Sequence, residues 1–343
     1  MSDYNYLNAR IKSLKKDLFP KGKLEELLGL SRFEEVKRFF LESPYGTSVG
    51  EALTRHPDFL GIELGISTRI QKTFQGILEW SGEGPRRLME LLLRRYDLHN
   101  IKSLLRGKNG KLPAEAILET VIPVGSFSLE ELKELAKQSS LRDTVSLLAG
   151  WHHPLKRVLR RGLTSIKEEP ADLRTLEAEL DHYYYSSILS SLVEEKGEDA
   201  ELVKRLIQME VDITNILTFL RLTEVPKGEL SKFFIKGGIL GKGFLLSIAP
   251  VKPLEMTQKF ETTYLAKAVR PWKGEGLTPL ERNFDAFLTQ AQHRMERQDP
   301  LSIGVAISYF ALLSNELKNI RMILQGKSFS LSEEKLKEEL LFV

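Results

Sequence analysis

Three short polar patterns are the first candidates for chemistry, because each places an acid three residues before an Asn-Ile pair. They are Asp97 with Asn100, Asp212 with Asn215, and Glu316 with Asn319. In a helix, residues three and four apart lie on one face, so each acid would lie beside its amide in an otherwise apolar row. Such a pair could serve acid–base catalysis or bind a metal ion, but no second catalytic group recurs at a fixed spacing. Because leaving these groups buried and unpaired costs about 1–3 kcal/mol each, we interpret the pattern as a structural motif that ties down a neighbouring helix end or turn.

Two other patterns resemble cofactor sites, and neither satisfies the requirements of one. The segment 237–243, GGILGKG, has three residues between its first glycine and Gly-Lys, whereas a phosphate-binding loop has four and continues with Ser or Thr. His152 and His153 are adjacent, which is not the spacing of zinc ligands. We therefore expect a flexible turn at the glycines, a polar loop at the histidines, and no catalytic residue, metal or cofactor.

The densest basic patch is carried by a short predicted helix and comprises Lys156, Arg157, Arg160 and Arg161. A nucleic-acid site would normally be supported by a larger net charge or an aromatic platform, and the chain has a net charge of only +3, from 50 basic and 47 acidic residues. Docking of an acidic protein or a carboxylate is equally compatible with the patch, and the sequence favours a merely solvated face over both.

The elements that position these residues are predicted to be helices, because no run of alternating strand pattern occurs. Each polar pattern lies near the end of a long apolar helical stretch, and the three asparagines are 115 and 104 residues apart. Pro/Gly turns at Gly22, Gly125 and Gly237 keep nearly the same period. Two markers with one period indicate a triplicated unit. We predict an all-α chain with helical units at 1–118, 119–228 and 229–343.

Helix boundaries are predicted from capping signals. Three pairs read as capping boxes: Ser31 with Glu34, Ser128 with Glu131, and Thr278 with Glu281. Gly107 and Gly326 stand where a left-handed cap would end the first and third motif helices. Leu222 takes this place in the second, so that helix is expected to end differently.

Composition limits the possible functions. The absence of cysteine excludes disulfides, thiolate metal sites and cysteine nucleophiles. A chain of 343 residues with 42% hydrophobic content can bury a sizeable core. Its longest uncharged run, Leu301–Asn315, is shorter than the ~20 residues that span a bilayer. Any membrane contact is therefore expected to come through a partner.

Longer segments around these patterns resemble a known family. They are Tyr4-x-Tyr6-Leu7-Asn8-Ala9-Arg10-Ile11, Tyr96-Asp97-x-x-Asn100-Ile101 continuing to Leu105-Arg106-Gly107-Lys108, and Glu316-x-x-Asn319-Ile320-Arg321 continuing to Gly326-Lys327. Together they are similar to the C subunit of the archaeal and bacterial V/A-type rotary ATPases, whose eukaryotic counterpart is the d subunit of the vacuolar ATPase.

The resemblance implies three similar helical domains in a pseudo-threefold funnel with a central cavity. It also implies a non-catalytic rotor component of the central stalk, at the cytoplasmic face of the cell membrane. Its partners there would be the shaft proteins of D and F type and the proteolipid ring, with no nucleic acid and with membrane contact only through the ring. Such a component would couple ATP synthesis or hydrolysis to proton or sodium transport. The alternative hypothesis is a helical-repeat scaffold that binds acidic protein or RNA through the basic patch at 155–161.

Overall fold

Helices are the only regular elements in the part of the chain that the structure describes. The computed structural model describes residues 4–151, 153–166, 170–222, 225–248, 253–329 and 331–342. The α-helices are α1 (Asn5–Leu14), α2 (Lys21–Gly29), α3 (Phe33–Leu41), α4 (Gly46–Leu53), α5 (Phe59–Trp80), α6 (Glu83–Asn109), α7 (Ala114–Leu118), α8 (Leu129–Lys137), α9 (Leu141–Gly150), α10 (Lys156–Ser165), α11 (Arg174–Glu194), α12 (Glu198–Arg221), α13 (Lys227–Leu230), α14 (Lys242–Ile248), α15 (Pro253–Phe260), α16 (Ala266–Val269), α17 (Thr278–Gln298), α18 (Gly304–Ser328) and α19 (Glu333–Glu339). Short 3₁₀ helices occupy Lys15–Asp17 and Ser231–Phe233. The prediction of an all-α protein is confirmed.

The long helices come in three consecutive pairs, α5 with α6, α11 with α12, and α17 with α18. Their lengths lie between 21 and 27 residues. In every pair the second helix carries one copy of the polar motif, and a group of shorter helices precedes the pair. This recurrence is the order of elements that a triplicated sequence would produce. The three domain boundaries stay a prediction.

Contacts between residues divide the chain into two compact units, which differ in how their cores are built. The larger unit comprises Met1–Tyr184 and Leu313–Phe342, and the smaller one comprises Tyr185–Leu312. In the larger unit, Phe19 packs edge to face against Phe39 and Tyr45. The core of the smaller unit includes Phe219 and Phe260, which are fully buried. The first unit therefore joins segments from both ends of the chain in one core.

Local capping explains several helix starts. The hydroxyl of Ser128 accepts a hydrogen bond from the backbone N–H of Glu131 (3.2 Å), and the Glu131 carboxylate accepts one from the N–H of Ser128 (2.8 Å), so this predicted capping box is confirmed. The capping box predicted at Ser31 and Glu34 is wrong by one residue. It is the carboxylate of Glu35 that accepts hydrogen bonds from the N–H groups of Ser31 and Arg32.

Two other boundary predictions are also wrong. Thr278 is the first helical residue and not the cap of α17, because its expected partner Glu281 binds Arg221 instead (2.6 Å). Gly107 and Gly326 lie inside their helices, which continue to Asn109 and Ser328.

Both of these glycines serve close packing. A β-carbon at Gly107 would lie 2.6 Å from Ile117, and one at Gly326 would lie 2.4 Å from Leu336. In the second copy, where Leu222 replaces the glycine, the helix ends at Arg221.

Candidate functional site

Each motif asparagine hydrogen-bonds the backbone N–H and C=O of one residue about twenty positions further along the chain. The pairs are Asn100 with Ile122, Asn215 with Ile235, and Asn319 with Leu341, at N···O distances of 2.6–3.1 Å. A side-chain amide has both a donor and an acceptor, so it satisfies the two backbone groups as a neighbouring strand would. All three asparagines are buried, and each fixes the segment that follows its helix.

The motif acids bind the backbone just before the second short helix of another group. The Asp97 carboxylate accepts a hydrogen bond from the N–H of Ser126 (2.8 Å), ahead of α8. Asp212 accepts hydrogen bonds from the N–H groups of Ile239 and Leu240, ahead of α14.

The third acid closes the series at the start of the chain. Glu316 accepts a hydrogen bond from the N–H of Phe19 (2.7 Å), ahead of α2 and 297 residues away in sequence. The order is therefore cyclic: each copy holds the segment before the second short helix of the next group, and the third copy holds the corresponding segment of the first group.

Whether the motif acid is Asp or Glu corresponds to the residue just before its backbone N–H donor. The donors to the two aspartates follow a glycine, and the donor to the glutamate follows a leucine. Gly125 has φ +89°, and a β-carbon there would lie 2.4 Å from Oδ1 of Asp97. At Gly238 the corresponding distance to Oδ1 of Asp212 would be 2.0 Å. Only glycine permits so close an approach of a backbone to a carboxylate. The donor Phe19 follows Leu18, and here the acid is Glu316, which is one methylene longer.

An aromatic or imidazole side chain also faces each acid. The hydroxyl of Tyr45 donates to Glu316 (2.5 Å), and that of Tyr264 donates to Asp212 (2.8 Å). In the first copy, Nε2 of His153 lies 3.9 Å from Oδ2 of Asp97, which is too long for a hydrogen bond. Sequence reasoning missed these partners because their residue types differ. The one available signal is that each follows the backbone donor of its acid by 24 to 27 residues.

His153 is built into the packing of its own loop. Its Nδ1 accepts a hydrogen bond from the N–H of Leu155 (3.2 Å), and its ring stacks on Phe127 with 4.9 Å between ring centroids. His152 lies outside the described residues. Within those residues no group of three His, Cys, Asp or Glu side chains could hold a metal ion.

Burial raises the pKa of two motif acids. It raises the pKa of Glu316 to about 7, although the hydrogen bonds from Tyr45 and Phe19 act in the opposite direction. Burial likewise raises the pKa of Asp212 to about 6, against the hydrogen bonds from Tyr264, Leu240 and Ile239. A carboxyl group that titrates near neutrality is a frequent mark of acid–base catalysis. Here, however, the oxygens of both carboxyls are engaged by the backbone and a tyrosine of the same chain, which is the arrangement of a fastening contact.

The glycine-rich segment at 237–243 belongs to the same contact. Its N–H groups at Ile239 and Leu240 point to the carboxylate of Asp212, so they bind an internal anion in the way that a phosphate loop binds a phosphate. The segment is therefore a turn that hydrogen bonds to Asp212 hold in place.

The predicted basic patch lies apart from the motif, on α10. Arg157, Arg160 and Arg161 are exposed and Lys156 is half-buried, while Val158 and Leu159 turn to the core. The structure thus presents the patch as one solvated face of an amphipathic helix.

These observations define the class of protein. It is an all-helical chain with a cyclic internal repeat, in which the polar residues of the repeated motif bind the chain's own backbone. The structure has no helix, among the described residues, that is long and apolar enough to cross a membrane.

The comparisons with known proteins identify the family. The family profile of the ATP synthase (C/AC39) subunit matches residues 7–339, and the chain belongs to this family. Its relatives include the A-type ATP synthase C subunit of Methanosarcina barkeri, which is 27% identical over 100% of this chain and 94% of the relative. The same protein of Methanocaldococcus jannaschii is 25% identical over 99% and 87%, and that of Haloferax volcanii is 26% identical over 100% and 98%. The protein is thus a non-catalytic component of a V/A-type ATPase or ATP synthase, and the resemblance found in the sequence is confirmed.

Proposed function

We propose that the protein is the rotor adaptor of the central stalk, which links the central shaft to the proteolipid ring at the cytoplasmic face of the membrane. In this position it couples ATP synthesis or hydrolysis to proton or sodium transport. Its partners are the shaft proteins of D and F type and the ring, and it reaches the membrane only through the ring.

The observation that carries this proposal is the cyclic order of the motif contacts. Asp97 fastens the segment before the second short helix of the second group, Asp212 that of the third group, and Glu316 that of the first. A closed series of three similar contacts is what three helical domains, 1–118, 119–228 and 229–343, would need to form a funnel about a pseudo-threefold axis. Such a funnel offers a socket for a shaft, and buried fastenings between groups favour the rigidity that transmission of torque requires.

Reconstitution tests the proposal. A rotary ATPase assembled in proteoliposomes without this chain is expected to hydrolyse ATP without pumping ions, and addition of the purified chain should restore pumping. ATP turnover and ion uptake would be measured on the same vesicles. Unchanged pumping in the absence of the chain would contradict the proposal.

The proposal also assigns the motif a structural role. Replacing Asn100 with Leu leaves the N–H and C=O of Ile122 without their partner, so we expect a loss of about 1–3 kcal/mol of unfolding free energy. Coupling should persist at temperatures where the variant is folded. An unaltered melting temperature together with abolished coupling would instead make Asn100 an interface residue.

A scaffold that binds RNA or acidic protein through α10 is the second candidate, and the exposure of Arg157, Arg160 and Arg161 is what favours it. Phosphate contacts make the logarithm of the affinity fall linearly with the logarithm of the salt concentration. A titration of RNA binding against salt therefore separates the two candidates. A steep slope that disappears in the R157E/R160E/R161E variant would favour the scaffold.

A further inference from the structure

An open groove lies within the smaller compact unit, between α12 and α17, with residues 264–271 forming a third wall. Its volume is about 500 Å³, which is in the range of specific binding sites. Along α17 the lining runs from Asn283 to Gln298, a length of about 22 Å at 1.5 Å per helical residue. The groove is thus about four helical turns long.

The lining combines an apolar floor with charges of one sign. The apolar lining residues are Leu202, Met209, Ala268, Pro271, Ala286, Phe287, Ala291 and Met295. Its charged residues are Arg205, Lys267 and Arg294, which are all exposed, and none of the described residues that line it is acidic. Because the whole chain has nearly equal numbers of basic and acidic residues, this uniform sign is a local feature.

The three cations are available to a ligand. Within the described part of the chain, no acidic side chain pairs with Arg205, Lys267 or Arg294. Such cations beside a half-buried apolar groove are typical of a surface that a partner covers, because charge complementarity at the rim then selects the partner while apolar contact supplies affinity.

In the other two motif copies, a mostly buried ion pair ties the motif helix to a long helix of another pair. The residue two positions after the motif asparagine is Lys102 in the first copy, where it bridges α6 to Asp181 of α11 (2.5 Å). In the third copy it is Arg321, which bridges α18 to Glu63 of α5 (2.5 Å). In the second copy this position is Leu217, so no buried ion pair joins α12 to α17 there, and the charged contact between these two helices is the exposed pair of Arg221 with Glu281.

We propose that this groove is a docking site for an amphipathic helix of a protein partner, one that has an apolar stripe flanked by carboxylates. Its apolar stripe lies on Phe287 and Ala291, and its carboxylates pair with Arg205, Lys267 and Arg294. Helices that dock in this mode place residues i, i+3, i+4 and i+7 in the groove, and four turns offer room for that set. The proposed function names no residue of this chain that meets a partner, so the two proposals stand independently.

Two synthetic peptides of about 18 residues, equivalent to five helical turns, test the proposal on the full-length chain. Both have leucine at i, i+3, i+4 and i+7 spacing, and the flanks are glutamate in one and lysine in the other. Fluorescence anisotropy is expected to show that the glutamate peptide binds at least about tenfold more tightly than the lysine peptide. Equal binding of the two peptides would overturn the proposal.

Charge reversal identifies the site. In the R205E/K267E/R294E variant the preference should invert, so that the lysine peptide binds more tightly. The matched control is R270E/K273E/R297E, which makes the same charge change at exposed positions of the same unit outside the groove and should retain the wild-type preference. An unchanged preference in the first variant, or an equal loss in both, would overturn the proposal.

A further variant and a further ligand separate a helix from a lipid in the groove. Gln290→Trp fills the groove from an exposed position and should abolish binding of the glutamate peptide, while circular dichroism melting verifies the fold. Oleate supplies an acyl chain with one carboxylate. If oleate binds in a manner that depends on Arg205, Lys267 and Arg294 while neither peptide binds, the groove is a fatty-acid site and the proposal is wrong.

Discussion

Each motif helix contacts a long helix of another pair, and we call these contacts the first crossing (α6 with α11), the second (α12 with α17) and the third (α18 with α5). A mostly buried ion pair ties the first and third crossings, whereas the second has only an exposed one. Lys102 and Asp181 leave only 18% and 11% of their side chains exposed, and Arg321 and Glu63 only 11% and 6%. At the equivalent place Leu217 packs against the apolar core of the smaller unit. One arrangement of helices therefore accepts either an ion pair or a leucine at the same position.

This difference shows at which positions the stability of the fold depends on an intact ion pair. A buried ion pair is often no more stabilising than apolar residues of similar volume, but the loss of one partner leaves an uncompensated charge. Burial raises the pKa of Asp181 even against the attraction of Lys102, so the pair is held at a cost in solvation. We therefore expect single substitutions at these positions to destabilise the first and third crossings more than a change at Leu217 destabilises the second.

The largest expected effect is that of Arg321→Leu, which copies the second crossing into the third. It removes the partner of Glu63 and also the donor to the carbonyl of Val121 (2.8 Å). We expect the unfolding free energy to fall by about 3–5 kcal/mol, measured by urea denaturation.

The double variant R321L/E63L is the control for this comparison. It removes both charges, so most of the lost stability should return. If the single variant R321L were as stable as the wild type, the ion pair would not stabilise the contact between α18 and α5. The difference between Arg321 and Leu217 would then have no effect on the unfolding free energy.

The sequence predicts contacts that lie close along the chain and misses the distant ones, as the ion pairs illustrate. The cap of α8 is predictable because Ser128 and Glu131 are three residues apart. Arg321 and Glu63 are separated by 258 residues, and Glu316 and Tyr45 by 271, so no local pattern joins them. The repeat marks the asparagines and acids as a set, but which backbone each of them binds depends on the tertiary fold.

Glycines show the same limit at shorter range. A glycine near a helix end predicts a left-handed cap, yet Gly107 and Gly326 are helical and are needed for close contact with Ile117 and Leu336. Sequence alone does not distinguish a glycine that is needed for its φ angle, such as Gly197 (φ +105°) with open space around it, from one that is needed because it has no side chain. The long motif helices and their recurrence were predictable, whereas the ion pairs between helices and the open groove were not.

The next largest effect is a dependence of the unfolding free energy on pH, which arises from Glu316 in the larger unit. Its pKa is raised from 4.5 to about 7 on folding, so the folded state binds the proton more tightly than the unfolded state does. The contribution to stability is then complete below about pH 4.5 and is lost as the pH rises to about 7. A shift of this size corresponds to about 3 kcal/mol.

Urea denaturation of the wild type and of Glu316→Gln between pH 4 and 8 measures this contribution. Gln cannot ionise and retains an acceptor oxygen for Tyr45 and Phe19. The stability of the wild type relative to the variant should therefore decline between about pH 4.5 and 7 and stay constant from there to pH 8. A constant difference at every pH would mean that Glu316 titrates alike in the folded and unfolded states.

The smallest effect is expected at a position that the first two crossings share. Six residues after the motif asparagine, Arg106 binds Glu177 and Arg221 binds Glu281, at 2.5 and 2.6 Å. Both arginines are more than half exposed, and exposed pairs contribute about 0–1 kcal/mol because water and salt screen them. Arg106→Ala and Arg221→Ala should therefore each lower the unfolding free energy by less than about 1 kcal/mol, and to a similar extent, in parallel urea titrations. If Arg221→Ala cost several times more than Arg106→Ala, the second crossing would depend on this pair in place of the missing bridge. The three crossings would then differ only in where the closing charge lies.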